Sequence, residues 1–197
     1  MSRYTEEQDE VKYKEPALPR KECKLKVGFA EKVQWTPKEA VAAQLQDGQM
    51  RAYDACKLTL DIVDASAKTE YGDQNFRVIE HQFNIERYPF VKDGKLQWMG
   101  KSNLYQLEDA FGFEPLFFDD SGNRLEPRVT KTGNKVGPKD SKRKLNPDFF
   151  NAYFTEDGNP KMENWAEKVV YADIEIETSE QYGDKNVIKA FRKAPRG

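Results

Sequence analysis

The residues able to do chemistry in this chain are few in kind. A single histidine, His81, excludes any centre built from two imidazoles. It alternates with Ile79, Phe83 and Ile85, which reads as a packed or groove-edge position on a strand. Cys23 and Cys56 could make one bridge at most and are read as two ordinary reduced thiols. Structural zinc would need both of them, the histidine and a carboxylate. Asp173, Glu175 and Glu177 recur at alternate positions, and carboxylates so spaced can hold Mg²⁺ for phosphodiester cleavage. Such sites draw their ligands from several elements, and no recognisable set forms here. There is neither a Walker-type phosphate loop nor a nucleophile elbow. No catalytic residue is assigned, no metal or cofactor is expected, and the chain reads as one that binds.

What remains is aromatic rings and cations. Glu70-Tyr71-Gly72-Asp73-Gln74-Asn75 and Gln181-Tyr182-Gly183-Asp184-Lys185-Asn186 are near-copies of one turn. Tight-turn chemistry accounts for the glycine and aspartate of each. It accounts less well for a tyrosine and an asparagine at matching places. Exposed rings can stack on unpaired bases, at about 1–3 kcal/mol per base. The candidate platforms are Tyr71 and Tyr182, joined by Phe76 and Trp98 on neighbouring strands. Candidate phosphate contacts are Lys101, Lys185 and Lys189, with Lys139, Lys142, Arg143 and Lys144 from a stretch read as a mobile basic loop. The net charge of −2 gives no global attraction for a polyanion, so local distribution must supply it. Asp173, Glu175 and Glu177 would repel phosphates, so this reading needs them on the far side of the protein.

The elements that must carry these groups follow from periodicity. In 197 residues, 34% are charged and 38% hydrophobic, which implies an ionised surface over a modest core. Residues 1–26 are polar and punctuated by Pro16 and Pro19, so residues 1–50 are assigned to a poorly ordered leader and one short helix. Thr36-Pro37-Lys38-Glu39 supplies a cap, a proline at the first helical position and a capping-box glutamate. From Cys56 the period becomes two. Leu58, Leu60 and Ile62 face one way, and a second strand from about Gln74 to Arg87 needs a bulge to absorb its change of phase. A third strand is expected near Leu96–Met99, and Ser102 caps a helix through Leu104 and Leu107 that ends at Gly112. Residues 113–165 form a long insertion. It holds a hairpin at Asp119–Asn123, the basic loop and an aromatic stretch at Phe149, Phe150, Tyr153 and Phe154. Val170, Ala172, Ile174 and Ile176 open a closing hairpin whose return strand carries Val187, Ile188, Ala190 and Phe191.

This order gives a mainly β fold: an OB-fold-like five-stranded barrel with short helices over residues 51–197, with the 113–165 insertion before strand 4. The two Tyr-Gly-Asp turns would be the loops joining strands 1–2 and strands 4–5, flanking one groove.

The chain also resembles the OB-fold single-stranded-DNA-binding-like proteins of bacteriophages and related mobile elements. The resemblance rests on Thr69, Tyr71, Gly72, Gln74 and Phe76, on Lys101, Ser102, Leu104, Leu107 and Gly112, and on Tyr182, Gly183 and Asn186. It covers residues 52–112 and 168–194. It implies binding of single-stranded DNA without strong sequence preference, in replication or recombination, with proteins of those pathways as further partners and a homo-oligomer left open. The basic C-terminus departs from the acidic recruiting tail of that family. Two other readings stand beside it: an interaction or inhibitor module that uses the aromatic stretch as its contact, and a carboxylate nuclease. The first residues lack a secretion signal and no apolar run approaches the roughly 20 residues a bilayer span needs, so a cytoplasmic protein without membrane partners is expected.

Overall fold

The computed structural model describes residues 14–131, 134–180 and 183–195. The protein is mainly β. Its strands, in chain order, are β1 (Arg20–Trp35), β2 (Tyr53–Ile62), β3 (Ile79–Asn84), β4 (Tyr88–Lys92), β5 (Lys95–Met99), β6 (Leu116–Phe118), β7 (Arg124–Leu125), β8 (Arg128–Val129), β9 (Lys135–Val136), β10 (Lys142–Lys144), β11 (Val169–Ser179) and β12 (Gly183–Arg192). The helices are α1 (Glu39–Ala42), α2 (Ser102–Ala110), α3 (Pro147–Tyr153) and α4 (Met162–Trp165). Five strands form the main sheet in the order β12-β11-β1-β2-β3, every neighbour antiparallel.

β1 is the longest of these strands and the centre of that sheet, so the expected poorly ordered leader is corrected from Arg20 onward, and residues 1–13 lie outside the described residues. Cys23, Leu25 and Val27 turn inward between Lys24 and Lys26, and all three are fully buried. The first half of β1 pairs with β11 and the second half with β2. Register shifts between Val27 and Phe29, where Gly28 lies against Thr59 and Asp61. The predicted capping box does not form: α1 begins at Glu39, its N-cap is Lys38, and no side chain caps it.

The expected bulged strand over residues 74–87 resolves differently. β3 starts only at Ile79, and the apparent phase switch separates loop from strand. Because β1 precedes it, the Tyr71 turn joins the second and third strands of the main sheet rather than the first and second. The strand at Lys95–Met99 is real, but it pairs with β4 in a separate hairpin.

The edges β3 and β12 are not hydrogen-bonded to each other, and no closed barrel forms among the described residues. They meet through side chains. His81 and Phe191 lie edge to face at 5.4 Å, and Phe83 and Phe191 at 6.5 Å. α2 plugs the remaining opening. Its Leu104 and Leu107 are fully buried, Gln106 accepts a hydrogen bond from the Phe191 N–H at 2.9 Å, and Asn103 meets His81 Nε2 at 2.6 Å.

Residues 113–131 and 134–165 carry regular elements. β6 and β7 make the hairpin expected at Asp119–Asn123, β10 pairs with β6, and β8 pairs with β9. The basic stretch read as a mobile loop therefore contains two strands, β9 and β10. Phe149, Phe154 and Trp165 are almost wholly buried and Tyr153 nearly so. The aromatic stretch is thus mostly part of the core, with Phe150 left half-buried at its edge. Among the described residues, no helix is long and apolar enough to cross a membrane.

Candidate nucleic-acid interface

The turn at Tyr71 is compact and internally bonded. Gly72 adopts φ +84°, which an L side chain rarely tolerates. Thr69 is buried, and its hydroxyl donates to Asp73 Oδ1 at 2.9 Å. In the second turn the Thr178 hydroxyl donates to Asp184 Oδ1 at 2.6 Å, a threonine–aspartate bond that spans six residues instead of four. Tyr71 is 79% exposed and is not drawn into the core. Tyr182 lies outside the described residues.

A short extended segment, residues 14–18, runs between the two turns and binds both. Glu15 bridges Phe76, and the Leu18 N–H donates to the Lys68 carbonyl at 2.9 Å. On the other side the buried Asn186 amide pairs with both backbone groups of Ala17. It accepts from the Ala17 N–H and donates to the Ala17 carbonyl, each at 2.8 Å. Asn186 is the asparagine of the second repeated turn, so its recurrence has a structural use there. Arg77 completes the junction by donating to the Lys14 carbonyl and, at 3.2 Å, to the Asp184 carbonyl. The two turns therefore converge on one side of the molecule.

Beside this junction lies a groove of about 880 Å³, lined by Lys14, Lys57, Arg77, Val78 and Lys185 among others. Lys14, Arg77 and Lys185 have no carboxylate partner among the described residues. Lys57 is shared between Glu80 at 2.9 Å and Glu31 at 3.4 Å. Glu80 is the acidic residue of the lining. Arg77 is held by carbonyls from two separate segments, which fixes the guanidinium while leaving its charge uncompensated. That is a preorganised seat for a phosphate oxygen.

The acidic strand does not line this groove. Asp173 is nearly buried, where it accepts from Arg192 and from the Glu22 N–H at 3.1 Å. That N–H belongs to a β1 residue at φ +51°, so Asp173 satisfies an irregular backbone. Arg192 holds its carboxyl below the usual carboxylate range. Glu175 faces Lys189 at 3.5 Å, and Glu177 opposes Lys185 across the hairpin. Among the described residues, no three His, Cys, Asp or Glu side chains are placed to hold a metal ion.

Of the sequence-derived candidates, only Lys185 lines this groove, and Tyr71 stands exposed on the turn outside the lining. Phe76 is half-buried against the core. Trp98 belongs to a separate aromatic cluster, 6.1 Å from the Tyr53 ring, with Arg87 above it at 5.9 Å. Lys101 lies in another cleft. Arg143 is corrected from a phosphate contact to a structural residue: its guanidinium grips Glu108 at 2.6 Å and Asp109 at 2.7 Å, and stacks over Tyr105. Lys142 pairs with Asp120 at 2.7 Å, Lys144 lies over the Phe118 ring at 4.5 Å, and Lys139 is exposed on a turn before β10. Lys189 is tied to Glu175. Lys14, Lys57 and Arg77 went unread because nothing in their local spacing announces a junction formed between residues 14–18 and residue 186.

His81 and both cysteines are structural. Burial pushes the imidazole down to about 4, and as the Asn103 amide donates to Nε2 the ring is neutral. Cys23 and Cys56 are free and buried, and burial raises both thiols, Cys23 to about 11. Compared with protein-family models, curated proteins and solved structures, the chain finds no match.

Proposed function

We propose that the protein binds single-stranded nucleic acid, DNA in the first instance, across the groove beside the two repeated turns. The observation that carries this reading is Arg77, oriented by carbonyls on both sides of the junction and lacking a carboxylate partner among the described residues. Lys14 and Lys185 extend the positive wall, and the exposed Tyr71 ring stands on the turn that bonds to the same 14–18 segment. Flat rings beside a cationic track are what sequence-tolerant strand binding requires.

The strand order supports an OB-like barrel as the scaffold. A long bent first strand pairs with both the second and the penultimate main-sheet strands, and a helix plugs the gap between the third and the last. In that scheme the first strand is β1, and the Tyr71 turn joins strands 2 and 3.

The test is a fluorescence titration with oligo-dT at two salt concentrations, for the wild type, Tyr71→Ala and Arg77→Ala. Binding should weaken with salt, and Arg77→Ala should flatten the slope of log K against log salt by about 0.7. Tyr71→Ala should cost about 1–3 kcal/mol of affinity. Affinity indifferent to salt and to both substitutions would overturn the proposal.

A further inference from the structure

A second concavity, of about 650 Å³, opens between the far end of the main sheet and the start of α3. Its apolar floor is Ile85, Leu145, Pro147 and Phe150, and Lys101 reaches into it. That size is within the range of small-molecule sites.

Lys101 is exceptional among the cations. Eight lysine and arginine side chains in the described residues are half-buried, and seven of them have a partner. Arg20, Lys26, Lys32, Lys57 and Arg143 each meet a carboxylate. Lys161 donates to the Asn151 carbonyl, and Lys168 lies over the Phe111 ring. Among the described residues the Lys101 ammonium makes no ion pair within 4.0 Å, side-chain hydrogen bond or ring contact, and Glu86 of the same lining acts on it only through space. Drawing a charge out of water without a partner is costly, and side chains normally avoid it. Desolvation holds its pKa below the ordinary lysine value, and the nearby Glu86 carboxylate only partly offsets it. The residue is also the N-cap of α2, a nine-residue helix with no capping side chain, so the positive end of that helix adds to the local potential.

The cleft's other charges narrow the ligand. Asp54 is neutralised by Lys32 at 2.9 Å, and Glu86 is held by both guanidinium nitrogens of Arg51. Glu156 and Asp157 are exposed in the lining. Those two would disfavour a dianion. A single negative charge can be met by Lys101 while an apolar body covers Phe150 and Ile85.

We propose that this cleft is a binding site for a small carboxylic acid with a flat apolar body, its carboxylate paired to Lys101. The site is separate from the nucleic-acid groove and does not rest on that reading. The test uses the full chain and 3-phenylpropionate, with 3-phenylpropanol as the uncharged control and phenyl phosphate as the dianion, followed by amide and lysine-ε NMR shifts. Saturable binding of 3-phenylpropionate is expected, with shifts confined to the cleft and a rise in the Lys101 titration midpoint on binding. The alcohol, and 3-phenylpropionate with Lys101→Met, should each bind at least about tenfold more weakly, and phenyl phosphate should bind more weakly than the carboxylate. Lys101→Met should also leave the melting temperature unchanged or raised, because it removes an unpaired charge. No saturable shift, binding undiminished in Lys101→Met, or a Lys101 midpoint that the carboxylate does not move would each overturn the proposal. The wild-type midpoint measurement decides the matter even where the variant folds poorly.

Discussion

Replacing Arg143 with methionine should destabilise the protein severely, and the structure says by how much. Glu108 is fully buried, and its carboxylate has two supports: the Arg143 guanidinium at 2.6 Å and the Asn146 N–H at 2.7 Å. Removing the cation leaves a buried carboxylate with one hydrogen bond, a change that costs about 3–5 kcal/mol. For a domain of this size, each kcal/mol shifts the midpoint by roughly 2–4 °C, so Tm should fall by roughly 6–20 °C. The pH dependence gives the sign. Burial already raises the Glu108 pKa above its usual value, and Arg143 is among the groups that restrain the rise. An acid whose folded pKa is raised contributes stability that is complete below its unfolded pKa and lost as pH rises through the folded value. Without Arg143 that loss deepens, so the deficit of Arg143→Met should be largest near neutrality and shrink toward pH 4. Glu108→Leu combined with Arg143→Met should recover part of the loss, since no buried charge then remains. Calorimetry or urea unfolding across pH measures all three chains. A Tm within about 2 °C of wild type for Arg143→Met, or a double variant no better than the single one, would refute this account of the pair.

Three other outcomes follow from the same kind of reasoning. His81 is neutral and buried with its pKa pushed down to about 4, so folding is favoured above its unfolded value near 6.5 and that contribution, on the order of 3 kcal/mol, is lost as pH falls toward 4; His81→Gln should flatten the acid limb of the stability curve, and an unchanged limb would count against it. Asn186→Ala strips both hydrogen bonds from Ala17, so amide exchange at Ala17 and Leu18 should accelerate more than in the β1–β2 ladder, as read by NMR. A Cβ at Gly137 would lie 2.2 Å from Ser141 Oγ and 2.5 Å from the Phe117 ring, so Gly137→Ala should cost about 1–3 kcal/mol in denaturant unfolding, whereas Gly100→Ala, with open space around the new Cβ, should cost less.

The closing hairpin, α2, the Asp119–Asn123 hairpin and β2 were legible because their patterns are local: clean alternation, a 3.6-residue stripe, a turn with glycine. β1 was legible in principle, since Cys23, Leu25 and Val27 alternate with lysines. Its charge and the prolines before it made the stretch resemble solvated chain. The site was half legible. Tyr71 and Lys185 stood out through the repeated turn, but Arg77 gains its role only from carbonyls contributed by residues 14 and 184. Arg143 shows the opposite failure: a cation inside a basic run is indistinguishable, on sequence, from one that serves a buried glutamate from a helix over thirty positions earlier.

The placement of β1 bears on how the chain is made. One of its flanks is closed early, when β2 emerges from the ribosome, but the other is closed only by β11, which begins at Val169. Throughout the intervening synthesis, the Arg20–Lys26 edge presents unsatisfied backbone donors and acceptors to whatever lies nearby. Lys21, Lys24 and Lys26 lie along that edge, where their mutual repulsion discourages one nascent chain from zipping onto another before the C-terminal hairpin arrives.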